Sequence, residues 1–343
     1  MWENFIGREI RRCNRNLLTI NVIVLVIVGA VVAFNWGYLT NWFRGTAAID
    51  PLQIAKLQSA DDLARNFVKF DVPEVLESGF QEVEEKDGKV VAVKADYQIT
   101  WVGGRALVLK TKPNSTNTHL EGALVKVPND VMAALKRDVP AERQGVLLPF
   151  MLDTVDYRDD GWWILGLCVP MVALALWNLN KWSRRMNDPA SHPIVKTLGG
   201  EPAVVQYGPQ LDMEMTGGGE KVGAATLTPS FLVVPNAFHT NIARLEDAAW
   251  VYKKITKHSV NFIPTGKTYE AVVWTRTGTM ISVNGKEAQV EQLLATVATR
   301  APWVVGGFSA ELDNAWKKDR AGFLAAVDQR RGAAKGASAG AAK

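Results

Sequence analysis

The chain has 343 residues, of which 48% are hydrophobic and 22% charged, and its formal net charge at pH 7 is +4. So small a charge argues against a nucleic-acid-binding protein held mainly by phosphate contacts. Both cysteines, Cys13 and Cys168, lie outside residues 40–160, which excludes a disulfide bond within that region. Residues 40–160 carry 15 basic and 19 acidic side chains, whereas the regions on either side are basic.

A basic segment, residues 1–16, precedes an apolar run at residues 17–39. As a helix this run would extend about 34 Å, enough to cross a hydrocarbon core of about 30 Å. A cleaved secretory signal has a shorter apolar region followed by a small-residue cleavage site, for which Val31–Ala33 is a weak candidate. Aromatic residues typical of a membrane interface follow instead, at Phe34, Trp36, Tyr38, Trp42 and Phe43. We therefore predict an uncleaved first transmembrane helix.

A second apolar run occupies residues 161–177 and would extend about 26 Å as a helix. A buried helix of a soluble protein is the alternative interpretation of a run of this length. Pro170 in the middle of the run is tolerated in a transmembrane helix. Tryptophan pairs mark both boundaries, at Trp162 and Trp163 and at Trp177 and Trp182. These features favour a second transmembrane helix.

Positive charge predicts the orientation of both spans. Four arginines precede the first run, and Lys181, Arg184 and Arg185 follow the second. Because basic flanks stay on the cytoplasmic side, residues 1–16 and 178–343 are expected in the cytoplasm and residues 40–160 outside it. The sequence thus predicts a two-pass protein of the plasma membrane with both termini cytoplasmic.

The outer region, residues 40–160, has an α+β pattern. Ser59, with Asp62 three residues later, resembles a helix capping box. Gly103-Gly104 separates two apolar, β-branched runs and predicts a β-hairpin. Strand 122–127 is followed by a short helix that Asn129 or Asp130 would cap. No spacing of His, Cys or Asp typical of catalysis is found there.

A linker at residues 178–193 leads to a β-rich region, residues 194–330, and a low-complexity tail, residues 331–343, that is expected to be disordered. Val290, Leu293, Leu294 and Val297 lie on one face of an amphipathic helix, and Ser309 would cap a second helix. Seven short strands are predicted before these helices, namely "AVVQY", "GAATLT", "SFLVVP", "DAAWVYKKI", "SVNFI", "YEAVVWT" and "TMISVN". This order is typical of pleckstrin-homology-like barrels.

The layout also resembles an uncharacterised family of bacterial two-span membrane proteins with a pleckstrin-homology-like cytoplasmic domain. The resemblance rests on "YQITWVGGRALVLKT", "EGALVKVPNDVMAAL", "LEDAAWVYKK" and "APWVVGGFSAELDNAW". Because these stretches are core and turn patterns, the resemblance implies architecture and no mechanism. The expected fold class is an α+β membrane protein with two transmembrane helices, an outer α+β domain and a cytoplasmic β-rich domain with C-terminal helices.

One basic stretch is the candidate site. Lys253, Lys254 and Lys257 lie around a predicted strand turn with Lys267 nearby, and such lysines bind anionic lipid headgroups when held near a bilayer. A solvated charged face is the alternative interpretation. Residues 215–223, "MTGGGEKVG", lack the spacing of a phosphate-binding loop and read as a strand connection.

We expect a non-enzymatic scaffold or adaptor that links the outer and cytoplasmic modules; a membrane sensor or an anionic-lipid-binding protein is the alternative. We expect no catalytic residue, no cofactor and no metal, with membrane lipids and a protein as partners and no nucleic acid. Against the sensor, Pro189 and Pro193 interrupt the linker. Acylation of Cys13 and glycosylation of Asn114 stay open.

Overall fold

The computed structural model describes residues 3–138, 140–260 and 263–340, a mixed α+β chain in two units. One unit contains residues 24–173; the other contains the chain up to residue 23 and from residue 174 onward. The described part has ten α-helices: α1 (Phe5–Phe34), α2 (Trp36–Arg44), α3 (Pro51–Ile54), α4 (Asn129–Asp138), α5 (Asp159–Asn187), α6 (Pro193–Leu198), α7 (Glu201–Thr216), α8 (Glu287–Arg300), α9 (Ala310–Lys318) and α10 (Arg320–Gly340).

A seven-stranded sheet forms the middle of the first unit, in the order β1-β2-β6-β7-β5-β4-β3. β1 pairs with β2 and β5 with β7 in parallel, and the other neighbours are antiparallel. The strands are β1 (Ala47–Ala48), β2 (Phe67–Asp71), β3 (Leu76–Lys86), β4 (Lys89–Val102), β5 (Arg105–Thr111), β6 (His119–Lys126) and β7 (Leu147–Asp153).

Two apolar clusters fill the faces of this sheet. One includes Ile54 and Ala60 beside strand residues such as Leu107, and the other includes Leu135 of α4. Central strands such as β5 are buried at successive positions because both faces of the sheet are covered. The unit therefore has a sheet between two partial layers of short helices.

Two local motifs predicted in this unit, a capping box and a β-hairpin, are present in the structure. Ser59 and Asp62 form a reciprocal capping box around a single 3₁₀ turn, Ala60–Asp62. Gly103 and Gly104, with φ of 56° and 81°, join β4 to β5, and Val102 pairs with Arg105. Two residues with positive φ match the twist of a tight hairpin, a geometry that glycine adopts without a steric cost.

The C-terminal unit contains two four-stranded sheets, ordered β11-β10-β9-β8 and β14-β13-β12-β15. Side chains from both sheets share one core with Val290, Leu293 and Val297 of α8, so the predicted amphipathic helix packs as expected. The strands are β8 (Glu220–Val222), β9 (Ala225–Leu227), β10 (Phe231–Pro235), β11 (Thr240–Arg244), β12 (Ala248–Val260), β13 (Ile263–Thr275), β14 (Met280–Gly285) and β15 (Val305–Gly306).

Several predicted elements differ from the structure. "AVVQY", residues 203–207, is part of α7 and not a strand, because Val204, Gly208 and Leu211 form a buried helical stripe. The tail predicted to be disordered from residue 331 continues α10 as far as Gly340. The predicted strand "SVNFI" includes residues 261 and 262, which lie outside the described residues.

The first apolar run forms the second half of α1 and continues into α2, and the second run forms the first part of α5. Both α1 and α5 have the length and composition of membrane-spanning helices. α1 ends at Phe34, before the predicted limit of the first span, and α2 begins after Asn35. α5 continues through Trp177 into the predicted linker and ends at Asn187. Val26 and Leu167 are 65% and 63% exposed, unlike the apolar residues of a soluble core helix.

Candidate functional site

The first turns of α1 form part of the hydrophobic core of the C-terminal unit. Ile6, Ile10 and Cys13 are each 0% exposed. We call this contact the α1 interface; its other buried members are Ile194 and its neighbours on α6, α7, β10 and β11, namely Val195, Leu198, Val204, Leu211, Phe231, Val233 and Ile242. The basic segment before the first apolar run is therefore a structural element of the C-terminal domain.

A glycine of α7, Gly208, lies against the Asn4 side chain just before α1. A Cβ atom on Gly208 would lie 2.6 Å from Nδ2 of Asn4 and 3.7 Å from Cδ1 of Ile6. A separation of 2.6 Å is shorter than the contacts that real Cβ atoms make, so a side chain at this position would displace the Asn4 amide. Gly208 thus leaves room for the Asn4 side chain at the edge of the α1 interface.

Charged groups line the rim of the α1 interface. Asp212 of α7 accepts hydrogen bonds at 2.8 Å from the Phe5 backbone N–H and from Nη2 of Arg8. Arg12 donates to Glu9 at 2.7 Å and to Oγ1 of Thr240 at 3.1 Å. These contacts fix the rotation of α1 against α7 and β11, because each bond requires one helical face to point inward.

A buried histidine lies beside the same interface. His192 is 0% exposed, and its Nδ1 atom accepts a hydrogen bond at 3.2 Å from the backbone N–H of Ile194, which makes it the N-cap of α6. Its Nε2 atom has no hydrogen-bond partner in the described part of the chain. Burial, together with the nearby positive charge of Arg185, lowers the pKa of His192 from 6.5 to about 4. The ring is therefore neutral at physiological pH.

An asparagine pair connects the two apolar helices within the C-terminal unit. Nδ2 of Asn178 on α5 donates to Oδ1 of Asn21 on α1 at 3.3 Å. Asn21 is buried and also donates to the Leu17 carbonyl oxygen at 2.6 Å. In an apolar environment such bonds between helices satisfy polar groups that lipid cannot satisfy.

Aromatic residues join α2 to the start of α5 within the other unit. The Tyr38 hydroxyl accepts from the Gly161 backbone N–H at 2.9 Å and donates to the Tyr157 carbonyl oxygen at 3.0 Å. Trp42 packs edge-to-face on Trp162, with ring centroids 5.0 Å apart. Gly161 meets the Trp42 ring so closely that it has no room for a side chain. Two members of the predicted aromatic cluster, Tyr38 and Trp42, thus form packing contacts.

The four predicted lysines lie on the paired strands β12 and β13 and not in a loop. Lys253 forms ion pairs with Glu287 at 2.9 Å and Glu291 at 2.6 Å, and hydrogen bonds to these carboxylates hold its pKa above the usual range. Lys254 pairs with Glu270 at 3.4 Å.

Lys257 and Lys267 face each other across the two strands, and both are exposed. In the part of the chain that the structure describes, neither forms an ion pair. The structure therefore separates the four lysines into two in ion pairs and two outside them, although the charge of Lys267 helps to lower the pKa of Glu287.

Within the described residues no group of three His, Cys, Asp or Glu side chains is arranged to hold a metal ion. The charge pattern of residues 1–16 predicts an orientation and does not predict the α1 interface. A signal was present, because Ile6, Ile10, Cys13 and Leu17 recur at helical spacing among polar residues.

Residues 218–316 match a family model described as a domain of unknown function, DUF6709. The match begins just before β8 and ends at Trp316 in α9, so it covers both four-stranded sheets of the C-terminal unit. No curated protein matches the chain, and no solved structure matches it. Residues 218–316 thus match a family whose function is unassigned, which is consistent with an uncharacterised family.

Proposed function

We propose that the chain is a two-pass membrane protein that acts as a non-enzymatic scaffold or adaptor. Residues 40–160 would lie outside the cytoplasm and residues 178–340 inside it. The α1 interface carries this proposal, since Ile6, Ile10 and Cys13 make the first span an integral part of the C-terminal domain. A domain held at two points, by α1 and by α5, suits a protein that positions other molecules at a membrane.

The exposure of the apolar helices supports the membrane assignment. Apolar side chains along both runs are exposed, and so are Trp36, Phe43, Trp162 and Trp163 beside them. Exposure of so large an apolar surface to water is unfavourable, whereas its contact with lipid and with the membrane interface is favourable. The basic residues at the other ends of the two runs support a cytoplasmic C-terminal domain.

The strand order supports a pleckstrin-homology-like C-terminal domain as part of the proposal. β8 to β11 form one antiparallel meander, β12 to β14 form another, and α8 follows them. Both sheets and α8 share one core. We propose this fold on the order and packing of these elements alone.

An affinity isolation tests the scaffold. The tagged full-length chain is crosslinked in its native membrane, extracted in mild detergent and analysed by mass spectrometry. A scaffold predicts a protein recovered at a fixed molar ratio to the chain. The control sample is extracted before the crosslinker is added, so that contacts formed only in detergent are recognised. Recovery of the chain with lipid alone would contradict the scaffold.

A membrane sensor is the second candidate, favoured by the continuity of α1. This helix runs without a break from the α1 interface through the apolar run to Phe34, so it bypasses the prolines in the linker. A Tyr38→Phe variant removes the hydroxyl contacts with Gly161 and Tyr157 and would perturb α2, which follows the C-terminal end of α1. A sensor predicts altered hydrogen exchange in α6, whereas a passive scaffold predicts no change there.

A further inference from the structure

The two unpaired lysines of the β12–β13 hairpin carry an inference that rests on the proposed function. The hairpin extends from the pair Trp250–Trp274 towards its turn in almost continuous antiparallel register. Trp250, Val251 and Val273 near its base are buried, whereas Lys257, His258 and Lys267 nearer the turn are exposed. We call residues 255–259 and 265–268 the distal hairpin.

The distal hairpin places two like charges side by side. Lys257 pairs directly with Lys267 in the strand register, so both side chains point to the same face. Like charges at directly opposed positions of an antiparallel pair destabilise the sheet. The pairs nearer the base avoid this cost, because Lys254 lies opposite Glu270. An anion held between the two ammonium groups would relieve the repulsion.

An apolar residue accompanies these charges on the same face. Ile255 lies two residues before Lys257 and is 46% exposed. Adjacent cationic and apolar side chains match the surface of an anionic bilayer, which offers phosphate or carboxylate oxygens above an apolar layer.

We propose that the distal hairpin binds the anionic surface of the membrane in which α1 and α5 are inserted, through Lys257, Lys267 and Ile255. The tether favours a lipid surface over a soluble anion, because the α1 interface and α5 keep the domain near the bilayer at all times. About 1 kcal/mol for each lysine near an anionic surface corresponds to a roughly 30-fold change in the ratio of bound to free hairpin.

The test uses the full-length chain in nanodiscs. Cys13 and Cys168 are replaced by serine, and an environment-sensitive fluorophore is attached through Thr265→Cys, an exposed position of the distal hairpin. Protection from acrylamide, a neutral quencher, is compared between pure phosphatidylcholine and a mixture with about 30% phosphatidylserine. We expect protection in the anionic discs only, and its loss in the double variant Lys257→Gln/Lys267→Gln.

The control variant, Lys317→Gln/Lys318→Gln, removes two exposed lysines from α9 and should leave the protection unchanged. Equal protection in both lipids, or equal loss in both double variants, would overturn the lipid contact. Protection that arises only after an acidic peptide is added would assign the hairpin to a protein partner and overturn it as well. Failure of the chain to insert into nanodiscs would instead contradict the proposed function.

Discussion

At the scale of single residues, the packing of the C-terminal domain depends on the protonation state of His192. The Nδ1 atom accepts the capping bond of α6, so the neutral ring carries its proton on Nε2. Protonation would place a second positive charge in a buried site near Arg185. The fold therefore requires a neutral imidazole at this position.

This requirement predicts an acid-dependent loss of stability. The unfolded histidine binds a proton near pH 6.5, whereas the folded one does so only near pH 4. Between these values the unfolded chain takes up a proton that the folded chain does not, so the free energy of unfolding falls as pH falls. The loss amounts to about 3 kcal/mol by pH 4.

The variant His192→Asn keeps a capping acceptor without a titrating group. Denaturant unfolding of the full chain in detergent, at several pH values from 7 to 4, should show a shallower pH dependence for the variant. Other groups titrate in both proteins, so the comparison rests on the difference between the two curves of unfolding free energy against pH. Parallel curves would show that His192 does not sense pH.

Gly161 gives a second prediction at this scale, concerning the contact with Trp42. Alanine at this position would overlap the Trp42 ring, and overpacking of this kind costs about 1–3 kcal/mol. We expect Gly161→Ala to lower the midpoint of thermal unfolding by several degrees. Gly166→Ala is the matched control on the same helix, because a Cβ there meets no atom within 4 Å. An equal effect of both substitutions would contradict the role of Gly161.

At the scale of elements, α1 has two different halves. Its first turns are buried in the C-terminal domain, whereas Val26 and Ile27 in its apolar run are exposed. Ile10→Ala should destabilise the domain by about 2–4 kcal/mol, because it removes a fully buried side chain from a packed core. Val26→Ala on the exposed part is the control. Faster hydrogen exchange in β10 and β11 of the first variant only is the expected readout; unchanged exchange would contradict the α1 interface.

Elements defined by local chemistry were predictable from the sequence. The capping box at Ser59, the hairpin at Gly103-Gly104 and the apolar stripe of α8 depend on neighbouring residues and occur as expected. Residues 203–207 show the limit of this approach. Their two adjacent valines suit a strand, but burial of Val204 and Leu211 in the core shared with α1 selects a helix.

The candidate site was predictable only in part, because its energetics depend on residues far apart in the chain. Nothing near Lys253 indicates that Glu287 and Glu291, 34 and 38 residues later, neutralise it. The cross-strand pairing of Lys257 with Lys267 likewise depends on the register of β12 and β13. Composition identified the basic stretch, and the tertiary structure shows that two of its four lysines lie outside ion pairs.

At the scale of the whole molecule, the proposed scaffold depends on the membrane that α1 and α5 would span. The division between the two units falls inside α1 and α5, so each apolar helix contributes to both units. The start of α1 lies in the α1 interface around Ile10, whereas the start of α5 contacts the aromatic residues around Trp42 of α2. A scaffold of this kind requires its two modules to lie on opposite sides of the bilayer.

Cysteine accessibility in sealed cells tests that requirement most directly. Single cysteines at Glu3, Thr116 and Lys317, all exposed positions, are introduced into a chain without Cys13 and Cys168 and treated with a membrane-impermeant maleimide. A two-pass topology with cytoplasmic termini predicts labelling at position 116 in intact cells, and at positions 3 and 317 only after permeabilisation. Labelling at positions 116 and 317 from the same side of the membrane would contradict the two-pass scaffold.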